Sequence, residues 1–302
     1  MSFGYDRRLY ILAFDHRGSF QKKMFGIAGE PNEAEAQRIA DAKSLIYEGF
    51  EHAIANGAPK DAAGILVDEQ FGHGPVTRAR EAGFLFAMPA ERSGQDEFDF
   101  QYDDYGSHIE SYSPTFTKVL VRWNPDADAQ MNARQGVRLA ELGRYLHANN
   151  HKYLFELLVP ATETQLAAVG GSDERYDTEV RPDLMVRAIA EIQGAGIEPD
   201  IWKIEGVDSS QDCARIAEQT RAGGRDGVAC VVLGRGANDA KVDHWLRAGA
   251  VVPGYQGFAI GRSIFWDAVK GWLDSSLSAA DAAASISANY RRFIDVYESA
   301  AR

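Results

Sequence analysis

The chain has 302 residues, of which 45% are hydrophobic and 25% are charged, and its formal net charge is −12. Such a composition is typical of a globular protein, and the acidic balance argues against nucleic acid or an anionic membrane as partner. With only two cysteines and no apolar run near ~18 residues, neither a disulfide framework, a cysteine zinc site nor a membrane span is expected. The N-terminal MSFGYDRRLY lacks an apolar signal core, so we expect a cytoplasmic protein.

Short apolar runs alternate along the chain with longer helical patterns. The first run, 9–14, predicts a strand, and 33–56 predicts a helix with Asn32 before it and Gly57 after it. Further strands are predicted at 64–68, 83–89, 118–123, 153–160, 200–206, 227–234 and 257–261. Further helices are predicted at 127–149, 181–194, 209–222, 237–249, 263–273 and 278–300.

Eight strands separated by helices indicate parallel βαβ units, and their apolar character on both faces indicates a sheet covered by helices. The pattern therefore predicts an α/β protein: a (β/α)8 TIM barrel with an extra C-terminal helix, forming one domain over 1–302. A doubly wound open sheet is the alternative, but no G-x-G-x-x-G follows the first strand. The stretches 90–117 and 160–181 are predicted as irregular loops at the ends of strands, where barrel enzymes carry their sites.

Polar residues stand late in most of the predicted strands. In a barrel these side chains should meet at one mouth. They are Asp15, His16 and Arg17 (strand one), Asp68 (strand two), Lys118 and Arg122 (strand four), Glu156 (strand five), Lys203 and Glu205 (strand six), Gly234 and Arg235 (strand seven), and Gly261 and Arg262 (strand eight).

The lysine of strand six stands where an apolar residue would be expected. Alternation puts Lys203 and Glu205 on one face with Ile201, while Trp202 on the other face suits the layer between strands and helices. Lys203 should therefore face the barrel interior, where lost hydration and nearby cations disfavour its charged form. A neutral amine can attack a ketone and form a Schiff base. The alternative is a buried ion pair with Glu156 or Glu205.

Two turns resemble each other at the ends of strands seven and eight. LGRGAND and IGRSIFWD both lead through Gly-Arg into a helix. Glycine lets backbone N–H groups approach a phosphate, the helix N-terminus attracts negative charge, and arginine adds charge-assisted hydrogen bonds. Barrel phosphate sites commonly follow these two strands. Ordinary turn glycines with surface arginines are the alternative.

An acid/base group is required beside any Schiff base. Glu156 is the best placed candidate, because strand five neighbours strand six, and Asp15 and Asp68 are the other carboxylates. Each could instead be structural, as a partner for Arg17, Arg122 or Lys203.

The segments LAFDHRGSF, GILVDEQFG, KVLVRWNPD, LFELLVP, IWKIEG and GFAIGRSIFWDAV resemble the class I aldolases of the tagatose-1,6-bisphosphate type. The resemblance runs from about Leu9 to about Trp272. It is strongest to the 2-deoxy-5-keto-gluconate-6-phosphate aldolase domain of myo-inositol catabolism. The resemblance implies a TIM barrel and a Schiff-base mechanism without metal or other cofactor.

The same resemblance implies roles for individual residues. It makes Lys203 the Schiff-base lysine, Glu156 the acid/base group and Lys118 a stabiliser of the substrate oxygen. Asp15 and Asp68 match carboxylates of the mouth. The substrate would be a small phosphorylated keto sugar, cleaved to dihydroxyacetone phosphate and an aldehyde.

The two ends of such a substrate need different partners. The resemblance makes Gly261 and Arg262 the phosphate-binding turn, and the Gly234–Arg235 turn matches less closely. For the inositol-derived substrate the aldehyde is malonate semialdehyde. Its carboxylate needs a cation, for which the candidates are Arg17, Arg122 and Lys118.

Two other function classes compete with this reading. His16 and His73 stand near Asp15, Asp68 and Glu69 and could bind Zn or Mn, although no metal-binding spacing is present. A lone loop histidine more often contacts substrate or donates a hydrogen bond, and His16 is placed in that role.

A non-catalytic phosphosugar-binding barrel is the second competitor. The presence of both Lys203 and Glu156 argues against it, because binding alone does not need an amine that can lose its proton. Self-association stays open, since Tyr290, Phe293 and Tyr297 of the last helix can pack on their own barrel or on a partner.

Overall fold

Eight short strands close into a parallel barrel in their sequence order, with β8 paired to β1. The structure is a computed structural model and describes residues 3–302. The strands are Leu9–Ala13 (β1), Ala63–Leu66 (β2), Leu85–Pro89 (β3), Phe116–Arg122 (β4), Lys152–Leu158 (β5), Ile201–Glu205 (β6), Ala229–Leu233 (β7) and Tyr255–Ile260 (β8). The predicted (β/α)8 barrel is confirmed, and each predicted strand end lies within two residues of the observed one.

Helices surround the barrel, and at least one helix follows each strand. They are Gly18–Phe25 (α1), Glu33–Ala55 (α2), Glu69–Glu81 (α3), Tyr105–Tyr112 (α4), Ala129–Ala148 (α5), Glu163–Ala168 (α6), Asp173–Arg175 (α7), Arg181–Gly194 (α8), Ser210–Arg221 (α9), Asp239–Ala250 (α10), Arg262–Leu273 (α11) and Ala279–Ala300 (α12). A π-helical turn, Tyr176–Val180, joins α7 to α8. None of the helices within residues 3–302 has both the length and the apolar content needed to cross a bilayer.

The two stretches predicted as irregular loops contain short helices instead, so that part of the prediction is wrong. Asp104 caps α4 by accepting from the backbone N–H of Ser107 at 3.0 Å. Thr162 and Gln165 form a capping box at the start of α6. Capping side chains satisfy the free N–H groups of a first turn, so short helices form here without a long apolar face.

The barrel interior has an apolar floor beneath a polar layer. The floor is formed by alternate strand residues, which include Leu9, Ile11, Leu66, Phe116, Leu154 and Ile201. Two residues further along their strands stand Lys118, Glu156 and Lys203. The outward-facing Trp202 packs against Phe155, with ring centroids 5.1 Å apart, in the layer between strands and helices. The alternation predicted for strand six is therefore observed.

The C-terminal helix packs on its own barrel. Tyr290, Phe293 and Tyr297 of α12 are fully buried, and the Tyr290 hydroxyl donates to the Tyr10 carbonyl at 2.6 Å. Of the two arrangements left open by the sequence, the structure shows the intramolecular one.

A fully buried ion pair joins Asp68, at the end of β2, to Lys43 of α2. The other oxygen of Asp68 accepts from the backbone N–H of Phe71 at 2.9 Å and caps α3. Lys43 also donates to the carbonyls of Phe14 at 2.9 Å and His16 at 3.1 Å. This pair therefore ties the end of β1 to two helices.

Replacing Asp68 by Asn should lower the free energy of unfolding by about 3–5 kcal/mol, because it leaves the Lys43 ammonium buried without a counter-charge. Denaturant unfolding of both proteins measures this difference. The matched control is Glu179→Gln, which removes an exposed ion pair with Arg175 and should cost about 0.5 kcal/mol or less. A loss for Asp68→Asn as small as that of the control would contradict a stabilising role for the pair.

Candidate active site

A cavity of about 580 Å³ opens at the C-terminal ends of the barrel strands. The loops after β1, β3, β5, β7 and β8 form its walls, and inward side chains of β4 to β6 contribute to its lining. The structure brings together nearly all the residues that the sequence proposed for a site. Those that line the cavity are Asp15, His16, Arg17, Lys118, Arg122, Glu156, Lys203, Gly234, Arg235, Gly261 and Arg262.

Lys203 and Glu156 form the centre of this cavity. They are direct neighbours in the register of β5 and β6, and the Lys203 Nζ lies 3.0 Å from the Glu156 Oε2. Both side chains are buried, with 3% and 6% of their surface exposed. The same Glu156 oxygen lies 3.0 Å from the Nζ of Lys118. One carboxylate oxygen thus bridges two ammonium groups.

Three buried carboxylates contact the ammonium group of Lys118. Its Nζ lies 2.8 Å from the Asp15 Oδ2, 2.8 Å from the Glu91 Oε1 and 3.0 Å from the Glu156 Oε2. Arg17 lies beyond Glu91, donates to its carbonyl at 2.6 Å and places its Nη2 3.8 Å from the Glu91 Oε1. The cluster therefore joins β1, β4, β5 and the loop after β3.

Burial and neighbouring charges act in opposite directions on this cluster. Burial alone would raise the pKa of Asp15 and of Glu156, but the positive charges of Lys118 and Lys203 outweigh it and lower both. Burial alone would lower the pKa of Lys118, but its carboxylates hold it well above the usual value. For Glu91, burial prevails over Lys118 and Arg17, and the pKa is raised.

Glu91 is the functional candidate that sequence reasoning missed. It stands two residues after the end of β3, as Asp15 does after β1 and Asp68 does after β2. The sequence pattern predicts only a long loop at 90–117, but Glu91 shares this two-residue offset with Asp15 and Asp68. That shared offset is the signal that could have found it.

The turns after β7 and β8 lie against each other. A Cβ on Gly261 would stand 2.1 Å from the Ala13 carbonyl oxygen, so only glycine allows this approach. The Arg262 Nη2 donates to the Arg235 carbonyl at 2.7 Å, and a Cβ on Gly236 would stand 2.5 Å from the Arg262 guanidinium. The turn after β7 thus supports the arginine at the N-terminus of α11.

Glu205, to which the sequence assigned no catalytic role, forms an ion pair with Arg235. The Arg235 Nε lies 3.0 Å from the Glu205 Oε1, and the same guanidinium pairs with Asp177 of the π-helical turn. The second Glu205 oxygen accepts from the Val159 N–H at 2.9 Å and lies 3.8 Å from Arg181. Of the two partners considered for Lys203, the structure shows Glu156.

Arg122 lies half-buried at the end of β4 and lines the opposite side of the cavity from β8. It donates to the backbone carbonyl of Gln95. No carboxylate within residues 3–302 forms an ion pair with it. A guanidinium in this position can accept a negatively charged group of a ligand.

Asp68 does not line the cavity. Its ion pair with Lys43 and its hydrogen bond to Phe71 hold it in the layer between strands and helices. The structure therefore does not bring this predicted mouth carboxylate to the candidate site.

His16 stands at the cavity wall, with its ring 6.4 Å from that of Phe265. Burial, together with the positive charges of Lys203 and Arg262, lowers the pKa of His16 to about 4, against the opposing charge of Asp15. The ring is therefore neutral at neutral pH. Within residues 3–302, no His, Cys, Asp and Glu side chains form a group of three or more that could hold a metal ion.

This lowered pKa predicts a pH dependence of stability. The unfolded chain takes up the His16 proton near pH 6.5, whereas the folded chain does so only near pH 4. Stability present above pH 6.5 is therefore lost as the pH falls toward 4. Between pH 7 and 4, we expect the wild type to lose about 3 kcal/mol more than His16→Gln in urea unfolding. Parallel curves for the two proteins would count against a half-buried His16 that is neutral in the folded state.

Several solved structures are similar to this one. Fructose-bisphosphate aldolase from Plasmodium falciparum, in complex with TRAP and a small-molecule inhibitor, has a TM-score of 0.71 at 14% identity, over 98% of this chain and 92% of that chain. Cgl0159 from Corynebacterium glutamicum has a TM-score of 0.58 at 17% identity, over 96% and 88%. A Schiff-base-forming fructose-1,6-bisphosphate aldolase has a TM-score of 0.55 at 13% identity, over 93% and 93%. These similarities establish a shared fold.

Comparison with curated proteins gives no match. The model of one family, described as "Uncharacterized protein conserved in bacteria (DUF2090)", matches residues 5–301. Because this match covers nearly the whole chain, the protein belongs to that family.

Proposed function

We propose that this protein is a class I aldolase that cleaves a phosphorylated keto sugar or keto sugar acid through a Schiff base on Lys203. The observation that carries the proposal is the buried amine of Lys203, paired with Glu156 at 3.0 Å, in a cavity that also contains a Gly-Arg turn. A buried lysine beside a proton acceptor is the arrangement that covalent catalysis on a ketone requires. The fold shared with fructose-bisphosphate aldolases adds support at the level of the fold.

Schiff-base formation uses the centre of the cluster. Lys203 gives a proton to Glu156 across their hydrogen bond, and the neutral amine then attacks the ketone carbon. Glu156 returns this proton to the oxygen of the carbinolamine, then takes a second proton from the carbinolamine nitrogen and delivers it to the same oxygen, which leaves as water when the iminium forms. The Lys118 ammonium stabilises the oxygen atoms that gain negative charge during these transfers.

Cleavage follows from the positive iminium. A carboxylate removes the proton from the hydroxyl on the carbon beyond the scissile bond, and that oxygen becomes the aldehyde carbonyl. The electron pair of the broken C–C bond moves into the iminium and forms an enamine. Protonation of the enamine carbon and hydrolysis of the iminium then release dihydroxyacetone phosphate and restore Lys203.

The cavity carries cations suited to two anionic ends of a substrate. Arg262 and the backbone at Gly261 would hold the phosphate, and Arg122 would hold a second anion beyond the scissile bond. The substrate 2-deoxy-5-keto-gluconate 6-phosphate fits, because its phosphate and carboxylate stand at opposite ends and its aldehyde product is malonate semialdehyde.

Tagatose 1,6-bisphosphate or a sulfosugar phosphate would likewise carry an anionic group at each end. We further propose that the protein acts in the cytoplasm, in myo-inositol catabolism, and that its substrate is a small phosphorylated sugar.

Borohydride treatment with dihydroxyacetone phosphate should trap a covalent adduct on Lys203, because reduction converts the iminium into a stable secondary amine. Peptide mapping by mass spectrometry identifies the modified residue. Lys203→Arg should abolish trapping and cleavage, since a guanidinium is not nucleophilic. Chelation by EDTA should leave activity unchanged. An adduct on another lysine, or loss of activity with EDTA, would refute the proposed mechanism.

Arg262→Ala should raise KM for a phosphorylated substrate at least about 10-fold, since a charge-assisted, bidentate contact is removed. KM for an unphosphorylated analogue should change much less. The matched control is Arg187→Ala, which removes an exposed pair with Asp126 outside the cavity and should leave both constants unchanged. Equal effects of Arg262→Ala on the two substrates would remove this residue from the phosphate site.

A further inference from the structure

One carboxylate oxygen of the cluster is buried and has no hydrogen-bond partner among residues 3–302. Glu91 lines the cavity and is 5% exposed. Its Oε1 accepts from Lys118 at 2.8 Å. Its Oε2 is buried and has no hydrogen-bond partner within residues 3–302. Since burying an unsatisfied carboxylate oxygen is costly, such an atom is expected to find its partner in a ligand or to carry a proton.

The other two carboxylates of the cluster are less suited to take a proton from a substrate hydroxyl. The Oε2 of Glu156 is already shared between Lys118 and Lys203 at 3.0 Å each. The Oδ2 of Asp15 is bound to Lys118 at 2.8 Å. The pKa of each is lowered by these cations, whereas the pKa of Glu91 is raised, and a carboxylate of higher pKa is the stronger base.

Position distinguishes the roles of Glu91 and Glu156. Lys203 and Glu156 are adjacent in β6 and β5. The turn with Arg235 follows β7, which neighbours β6, and the turn with Arg262 follows β8, which is the next strand along the barrel. Glu91 contacts the same Lys118 ammonium as Glu156, but it comes from the loop after β3, whose Gln95 carbonyl accepts from Arg122. In the strand order, β3 and β4 lie across the barrel from β8. A substrate with its phosphate at Arg262 and its ketone carbon at Lys203 would therefore extend its carbon beyond the scissile bond toward the loop that carries Glu91.

We propose that Glu91 is the catalytic base that takes the hydroxyl proton when the C–C bond breaks, while Glu156 serves the proton transfers at Lys203. This inference rests on the proposed aldolase function. The Oε2 of Glu91 takes the hydroxyl proton and becomes a carboxylic acid, and the O–H electron pair forms the aldehyde C=O bond. The C–C electron pair reduces the iminium to the enamine. In condensation, Glu91 returns the proton to the aldehyde oxygen.

Partial reactions separate this role from Schiff-base chemistry. In D2O, enamine formation exchanges a proton on the hydroxymethyl carbon of dihydroxyacetone phosphate, which NMR detects without any aldehyde. Glu91→Gln should leave this exchange and borohydride trapping within about 3-fold of wild type. Condensation of dihydroxyacetone phosphate with the aldehyde that the wild type accepts should fall about 100-fold or more. Glutamine keeps an oxygen acceptor for Lys118, so the cluster stays assembled.

Two variants serve as matched controls. Glu97→Gln changes a glutamate of the same loop that pairs with Arg134 and Arg138, and all three measurements should stay at wild-type values. Glu156→Gln should differ from Glu91→Gln in that exchange and trapping are lost together with condensation.

The outcomes are distinguishable. If Glu91→Gln loses exchange and condensation in equal proportion, Glu91 only supports Lys118 and the proposal is overturned. If condensation persists at the wild-type rate, another group is the base and the proposal is likewise overturned. A wild type that neither exchanges nor traps would refute the aldolase function itself, and this assignment with it.

Discussion

The structure of the cavity depends on the Lys118 ammonium group. It lies 2.8, 2.8 and 3.0 Å from carboxylates of Asp15, Glu91 and Glu156, which come from three separate parts of the barrel. Each buried carboxylate loses several kcal/mol of hydration, and only a nearby cation offsets that loss. The positions of the loops after β1 and β3 and of strand β5 are therefore coupled to one nitrogen atom. Glycines and short capped helices can then shape the remaining wall without fixing the reactive groups themselves.

Charge within the cavity is arranged in two parts. Lys118, Lys203 and Arg17 balance Asp15, Glu91 and Glu156, so the cluster at the centre is close to neutral. Arg122 and Arg262 are not balanced by carboxylates within residues 3–302, and they stand on opposite sides of the mouth. A protein whose net charge is −12 thus keeps two positive positions inside its cavity. Long-range repulsion of an anionic ligand by the acidic surface is screened over about 8 Å at physiological salt, whereas buried contacts are screened much less.

The sequence predicted the parts of this site that periodicity and strand order determine. Alternation placed Lys203 inside, and the adjacency of strands five and six placed Glu156 beside it. It did not predict contacts that depend on loop conformation, such as Glu91 with Lys118. Nor did it predict the Lys43–Asp68 pair. Lys43 occupies a buried position of α2, and the helical pattern alone does not show which group its ammonium contacts. The Arg235–Glu205 contact depends on a left-handed backbone at Arg235, with φ 51°, which a residue pattern does not reveal.

The π-helical turn at Tyr176–Val180 shows how this cavity can be altered without changing the barrel. A π turn contains one more residue than an α turn, and here it carries Asp177, which pairs with Arg235. Deleting a single residue from this turn would rotate Asp177 by about 100° around the helix axis relative to α8. Arg235 would then keep only Glu205 as its carboxylate. Insertion or deletion of one residue in this segment would therefore change the cavity wall and leave the barrel strands unchanged. Relatives of this protein that differ here would accept ligands of different shape.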